Sequence, residues 1–332
     1  MIQLALLITN KHRLLSVAAI LDVFESVNGF YQNHGEASFF NIQLFSPNAE
    51  SSQVLHFGNY PLQSVETAGK QDLILIPAFA ADMTQEAISE NSNCISWLKN
   101  QYEHGAEIAS FCTGAFLLAA TGLLNGKNAT THVNATTAFA ASFPAVRLYG
   151  DAIITDEERI YTSGGATNSF HLMLHLLKIH CGREVVLHIA KLFAIDMDRE
   201  QQAYFGTFQP PQNHGDMLVK MAQKKIENAY QNSSTIEEII QDIPASRRNV
   251  VRRFKLATGF TPIEYLQKTR IEAAKKLLEL TDQSILEVML NSGYNDLKAF
   301  RQLFKKSAGM TPKSYREKFN TGRMEGIGYT VK

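Results

Sequence analysis

The chain holds little of what would staple it, anchor it or bind a metal. Its three cysteines, Cys94, Cys112 and Cys181, are odd in number and widely spaced, which excludes a paired disulfide framework and zinc-ribbon spacing. No apolar run approaches the roughly 20 residues that a membrane helix needs. The opening MIQLALLIT lacks the basic start and small-residue cleavage site of a signal peptide. These absences predict a cytoplasmic protein with no membrane partner. Net charge is lacking too, since 32 Lys+Arg face 32 Asp+Glu, but the balance hides an asymmetry. Residues 1–215 hold 11 basic against 19 acidic side chains, and residues 216–320 hold 19 against 12. A basic segment joined to an acidic one points to a polyanion-binding region beside a region with another task.

What is present suits two globular domains: 332 residues, 45% of them hydrophobic. Ile2–Ile8 and Leu73–Pro77 (LILIP) are short apolar runs ending in turn signals, as buried parallel strands are. Helices are expected at about Ser16–Tyr31, Thr84–Tyr102, Thr113–Thr121 and Thr167–His180. This alternation predicts an open α/β sheet with helices on both faces over residues 1–205. Residues 206–215, GTFQPPQNHG, are rich in breakers and read as a linker. From 216 to 320 nothing resembles a strand, and a series of short helices predicts an all-α domain. Residues 321–332 read as a disordered tail.

Inside the all-α domain, a pair of stretches shares one grammar. Thr235 and Glu238 form a capping box ahead of a first short helix, and Ser246 can cap a second, Arg247–Leu256. In the later stretch Ser284–Leu290 leads, Asn291–Tyr294 turns, and Asp296–Lys306 follows. Each ends alike, in TGFTP (258–262) and AGMTP (308–312), about fifty residues apart. Val250 and Phe254, like Phe300 and Phe304 with Leu303 beside them, must face the core. The opposite faces carry Arg248, Val251 and Arg252 in one unit and Lys298, Arg301, Gln302 and Lys305 in the other. With Arg247, Asn249, Asp296 and Leu297 these are the candidate DNA-contacting residues. Arg reads guanine bidentately, Gln pairs with adenine and Lys neutralises phosphate.

SRRNVVRRF with TGFTP, and SGYNDLKAFRQLFKKSAGMTPKSYR, strongly resemble the AraC/XylS family of transcription regulators. The resemblance covers about Asp216–Phe319. It implies a double helix-turn-helix domain joined by a long central helix, here about Ile263–Leu280. The two recognition helices would enter successive major grooves of promoter or operator DNA. It also implies a homodimer, with RNA polymerase as a candidate partner. Pro244, Ala245 and Ile240 depart from the family's usual residues around the first turn.

In the N-terminal domain, EIASFCTGAF (107–116) runs an apolar strand into Cys112 and small residues into a helix, the form of a nucleophile elbow. The helix N-terminus is expected to lower the thiol pKa and favour thiolate. His132 follows at another strand end. FCTGAFLLAATGLL, GKNATTH and IYTSGGATNSFHLMLHLL resemble the PfpI-type, class I glutamine amidotransferase-like superfamily, from about Ile2 to Phe205. This resemblance implies a flavodoxin-like sandwich used to bind an effector. The enzymatic members place a Glu against the thiol, at the position that Ser16 occupies six residues before Asp22-Val23. Many also have a double Gly in the loop where Ala78-Phe79-Ala80 stands. No enzyme is therefore expected. Cys112, Thr113, Gly114, His132, Ala78 and Phe79 are expected to line the site of a small-molecule effector, which the resemblance makes amino-acid-like or amine-derived. The competing reading is a cysteine-dependent hydrolase or glyoxalase-like enzyme, with Cys112 and His132 catalytic, fused to a DNA-binding domain. His171 and His175 stand four apart, with His180 and Cys181 nearby, but without a HExxH pattern. No metal and no cofactor are expected.

Overall fold

A computed structural model describes residues 1–47, 56–80, 84–165, 167–197, 206–208, 210, 214–232 and 235–320. The chain divides into two compact units, Met1–Gln202 and Ala203–Lys332. The expected tail, 321–332, and residues 209 and 211–213 of the expected linker lie outside the described residues.

The first unit runs β1 (Ile2–Leu7), α1 (Leu14–Asn33), β2 (Phe40–Ser46), β3 (His56–Phe57), β4 (Tyr60–Ser64), β5 (Leu73–Ile76), α2 (Thr84–Glu90), α3 (Asn93–Glu103), β6 (Glu107–Ser110), α4 (Ala115–Ala120), β7 (Asn128–Ala129), α5 (Thr136–Ser142), β8 (Arg147–Leu148), β9 (Ile154–Glu157), β10 (Ile160–Ser163), α6 (Asn168–His180) and α7 (Arg183–Leu192). The sheet order is β3-β4-β2-β1-β5-β6-β10-β9. Its inner pairs are parallel, and β3 and β9 add antiparallel edges. Because side chains alternate along a strand, Leu4 and Leu6 of β1 join the core with α1, α6 and α7. Ala5 and Leu7 join the opposite core with Cys94, Leu98, Phe116 and Phe139. The result is the expected flavodoxin-like α/β sandwich. The chain goes from β1 to β2 on one side and later to β5 on the other, so the strand order reverses between β1 and β5. Ligand crevices in such sheets open there, beyond the carboxyl ends of the strands.

Two expectations need correction. The helix expected at Thr84–Tyr102 is broken at Asn91, which is fully buried. Its side chain donates to the Ala87 carbonyl (2.6 Å) and accepts from the Asn10 amide (2.7 Å), tying the break to the loop after β1. Also, α1 is 20 residues long and apolar enough, by length and composition alone, to cross a membrane. Its polar breaks hid this in the sequence. Here it lies on the sheet, burying Val17, Ile20, Val23, Phe24 and Val27.

The second unit runs α8 (Met217–Ala229), α9 (Ile236–Ile240), α10 (Arg247–Thr258), α11 (Pro262–Leu280), α12 (Ile285–Asn291), α13 (Leu297–Ala308) and α14 (Pro312–Phe319). It has two cores, one for each repeat. The long helix α11 gives Tyr265 and Leu266 to the first and Ile271, Ala274 and Leu278 to the second. Gly259 and Gly309 end α10 and α13 in the left-handed conformation. Thr261 and Thr311 then cap the next helices, each with Pro at its first turn. The repeat extends to single bonds: Tyr265 OH donates to Glu227 and Tyr315 OH to Glu279, both at 2.6 Å. Some of the segment read as linker is packed. Lys275 Nζ donates to the Gly206 carbonyl (2.6 Å), and the Phe208 ring meets Tyr265 edge-on at 5.2 Å.

Candidate nucleic-acid interface and elbow crevice

The caps of α10 and α13 come from Ser246 and Asp296, whose side chains accept from the Asn249 and Ala299 amides. Each helix turns Val250 and Phe254, or Phe300 and Phe304, inward. Helical period then places Arg248, Val251, Arg252 and Lys255 in one stripe, and Lys298, Arg301, Gln302 and Lys305 in the other. The two stripes match position for position at an offset of fifty. Lys255, exposed, completes the first stripe. It was not among the residues expected from sequence, although the repeat offset from Lys305 identifies it. Among the described residues Arg248, Lys298, Arg301 and Lys305 have no carboxylate partner.

Other candidates do local work. Arg247 pairs with Glu237, and Arg252 donates to the Asn249 side chain at 3.3 Å. Asp296 spends an oxygen on its cap (2.8 Å), and Leu297 packs on the second core. Arg253, whose charge could be mistaken for a member of the stripe, is turned back onto Asp216 in a two-pronged pair at 2.8 and 2.7 Å.

In the first unit β6 ends at Ser110, and after Phe111 comes Cys112, a non-glycine residue with φ +55° that opens a single 3₁₀ turn, Cys112–Gly114, before α4. Gly114 is required, because a Cβ there would sit 2.7 Å from the carbonyl oxygens of both Ile76 and Pro77. Thr113 Oγ1 donates to the Phe79 carbonyl (2.6 Å) and accepts from the Phe79 amide (2.9 Å). Ser16 Oγ accepts from the Ala78 amide at 3.0 Å, and Thr131 Oγ1 donates to the Cys112 carbonyl at 3.0 Å. The structure thus brings Ala78, Phe79, Thr113 and Cys112 together around the ends of β5 and β6, with Thr131, two residues past β7, bonded to the elbow and His132 next to it in the chain, capping the 3₁₀ turn Val133–Ala135.

The expected thiolate is not favoured. Cys112 is 4% exposed. Burial pushes its thiol up to about 11, outweighing the downward pull of the Thr113 hydrogen bonds and of the Arg13 charge. His132 is shifted the other way, toward the neutral form, by burial and then by Arg13. Its Nδ1 accepts from the Asn134 amide (3.1 Å), which leaves Nε2 to carry the ring proton of the neutral form. With its Nδ1 lone pair taken by the Asn134 amide and its Nε2 protonated, the His132 ring has no free lone pair to take the proton that burial keeps on the Cys112 thiol, so the two make a poor nucleophile–base pair. The amides of Ala78 and Phe79, where an oxyanion would be received, are already engaged. At neutral pH Cys112 is expected to alkylate far more slowly than a free cysteine, with a rate rising about tenfold per pH unit toward about 11. Peptide-resolved mass spectrometry across a pH series measures this, and a plateau near neutrality would show an activated thiol. The histidines on α6 turn to separate partners: His171 to the Asp196 carbonyl (2.8 Å), His175 to Asp156 (2.8 Å) and His180 toward Glu107 (3.4 Å).

Comparison with known proteins agrees with both halves. The helix-turn-helix domain family matches residues 241–318, and the DJ-1/PfpI family matches residues 47–179. The HTH-type transcriptional regulator GbdR of Pseudomonas aeruginosa is 27% identical over 231 residues, 67% of this chain and 61% of that protein. The HTH-type transcriptional regulator CdhR of the same species is 28% identical over 224 residues, 67% of this chain and 66% of its own length. The match therefore spans just under two thirds of these relatives. Among solved structures, an AraC family transcriptional regulator from Pseudomonas putida aligns with 58% of this chain and all of its own, at 15% identity and a TM-score of 0.48. A ThiJ/PfpI family protein from Pseudomonas syringae aligns with 81% and 88%, at 18% and 0.47.

Proposed function

We propose that this chain, an N-terminal DJ-1/PfpI-like domain fused to a C-terminal helix-turn-helix domain and matching AraC/XylS-type transcriptional regulators, is a sequence-specific DNA-binding regulator that senses a small metabolite at the Cys112 elbow. The observation that carries DNA binding is the duplicated stripe, 248-251-252-255 and 298-301-302-305, on two helices of like capping and core packing. One set of spacings repeated on two exposed faces is what two recognition helices require and what a helical bundle does not. Arg252 and Arg301 are assigned to base edges. Lys255, Lys298 and Lys305 are assigned to phosphates.

The elbow is assigned to binding and not to catalysis. The raised thiol, the occupied Ala78 and Phe79 amides, and the serine where a carboxylate would stand support this over the reading as a fused cysteine enzyme. Effector binding then biases how well the DNA-binding units occupy their sites. A coupling of about 1–3 kcal/mol gives a 5–150-fold switch. Arg252→Ala or Arg301→Ala is expected to cost about 1–3 kcal/mol of specific binding in a gel-shift titration and to relax the base preference at one position. Unchanged affinity in both variants would remove the base-reading assignment.

A further inference from the structure

The loop between β1 and α1 crosses to the loop after β5, which is itself fastened to the elbow. The Arg13 amide donates to the Ala78 carbonyl (2.7 Å), Ser16 Oγ holds the Ala78 amide, and His12 bridges Phe79. Phe79 is clamped in turn by Thr113, the neighbour of Cys112. Arg13 is thereby fixed by its backbone at the reversal of strand order between β1 and β5, on the same side as Cys112 and His132. Its side chain is exposed, caps nothing, and makes no ion pair among the described residues. The other cation on this loop, Lys11, is held by Glu90 at 3.5 Å. Arg13 thus supplies a planar, permanently charged fork that has no ion-pair partner among the described residues, at the same end of the sheet as a buried thiol and an imidazole that donates from Nε2.

We propose that Arg13 receives the carboxylate of the effector, so that the elbow crevice selects a small anionic molecule and holds its anionic end at the mouth. This rests on the assignment of the elbow as the effector site. The Arg13 charge acts on both groups, favouring the ionised Cys112 thiol and the neutral His132 ring, which agrees with an anion-attracting mouth. The remainder of such a ligand would meet the Cys112 thiol and the His132 ring, while the buried Ala78, Phe79, Thr113 and Gly114 shape the floor.

Iodoacetate and iodoacetamide test this directly, because they differ chiefly in charge and report from Cys112 itself. The full-length protein is alkylated at mildly alkaline pH, and the ratio of the two rates at Cys112 is read by peptide-resolved mass spectrometry, normalised to N-acetylcysteine. An opposite charge a few ångströms away in water-like surroundings favours an anion about fivefold. The expected result is a normalised ratio of about five or more, lost in Arg13→Gln and kept in Arg13→Lys. Both variants leave the backbone bond to Ala78 in place. A ratio that is the same in the parent and in Arg13→Gln overturns the anion site but leaves the elbow open to a neutral effector. Failure of both reagents to reach Cys112, with Cys181 labelled in the same sample, closes the crevice to small molecules and overturns the effector site together with the role of Arg13.

Discussion

Gly293→Ala is expected to unfold the second half of the C-terminal unit, at a cost of about 3 kcal/mol or more. Gly293 has φ +87°, a conformation that a side chain adopts only under strain. A Cβ there would lie 2.0 Å from the Tyr230 carbonyl oxygen and 2.8 Å from Arg270 Nε. That carbonyl ends α8 and accepts from Arg270 Nε at 2.8 Å, while the same guanidinium donates to Asn232 (2.7 Å) and stacks over Tyr294 at 5.6 Å. The turn of the second repeat, the central helix and the end of α8 therefore meet at one point that has room for a hydrogen and nothing more. A methyl group displaces the carbonyl and strands a half-buried guanidinium, which burial already disfavours. The single tryptophan, Trp97, lies in the other unit, so its fluorescence reports that unit alone. Helical circular dichroism should be lost early on heating while the Trp97 transition stays in place. An unchanged circular dichroism midpoint would mean that the α8 end yields freely, against the packing seen here.

Replacing Lys298, Arg301 and Lys305 together by alanine is expected to weaken specific DNA binding by about 100-fold or more and to flatten its salt dependence. Each phosphate contact contributes about 0.9 to the slope of log affinity against log salt, so losing the two assigned to Lys298 and Lys305 lowers it by up to about 1.8. These side chains are exposed and unpaired among the described residues, so helicity and melting should stay as in the parent. The matching change at Arg248, Arg252 and Lys255 should act in the same direction if both repeats touch DNA. A triple variant that keeps its affinity and slope would mean that the α13 stripe faces solvent and not a groove.

Much of the C-terminal unit was legible in the sequence because its signals are local and doubled. Caps, apolar period and the G-x-T-P endings each occur twice, and the structure sets α10 and α13 within two residues of the expected bounds. Lys255 escaped although the same offset pointed to it. The strands β2, β4 and β9 went unread because FNIQLFS, YPLQS and ITDE mix polar and apolar residues at sheet positions where one face is only partly covered. The elbow was visible in FCTGAF, since a tight turn needs small neighbours. Its chemistry was not, because the thiol is governed by burial contributed from β5, β10 and the loop after β7. Arg13 was invisible for the same reason: its approach to Cys112 depends on bonds between residues sixty or more apart, such as Arg13 to Ala78.

The most direct measurement is a titration of the purified chain on the DNA upstream of its own gene, across a salt series and against excess non-specific competitor. Saturable, competitor-resistant binding with a steep salt slope is predicted, shifted in affinity by a small carboxylate that binds at the elbow. Equal affinity for that DNA and for the competitor at every salt concentration, with and without pooled carboxylates, would contradict a sequence-specific regulator.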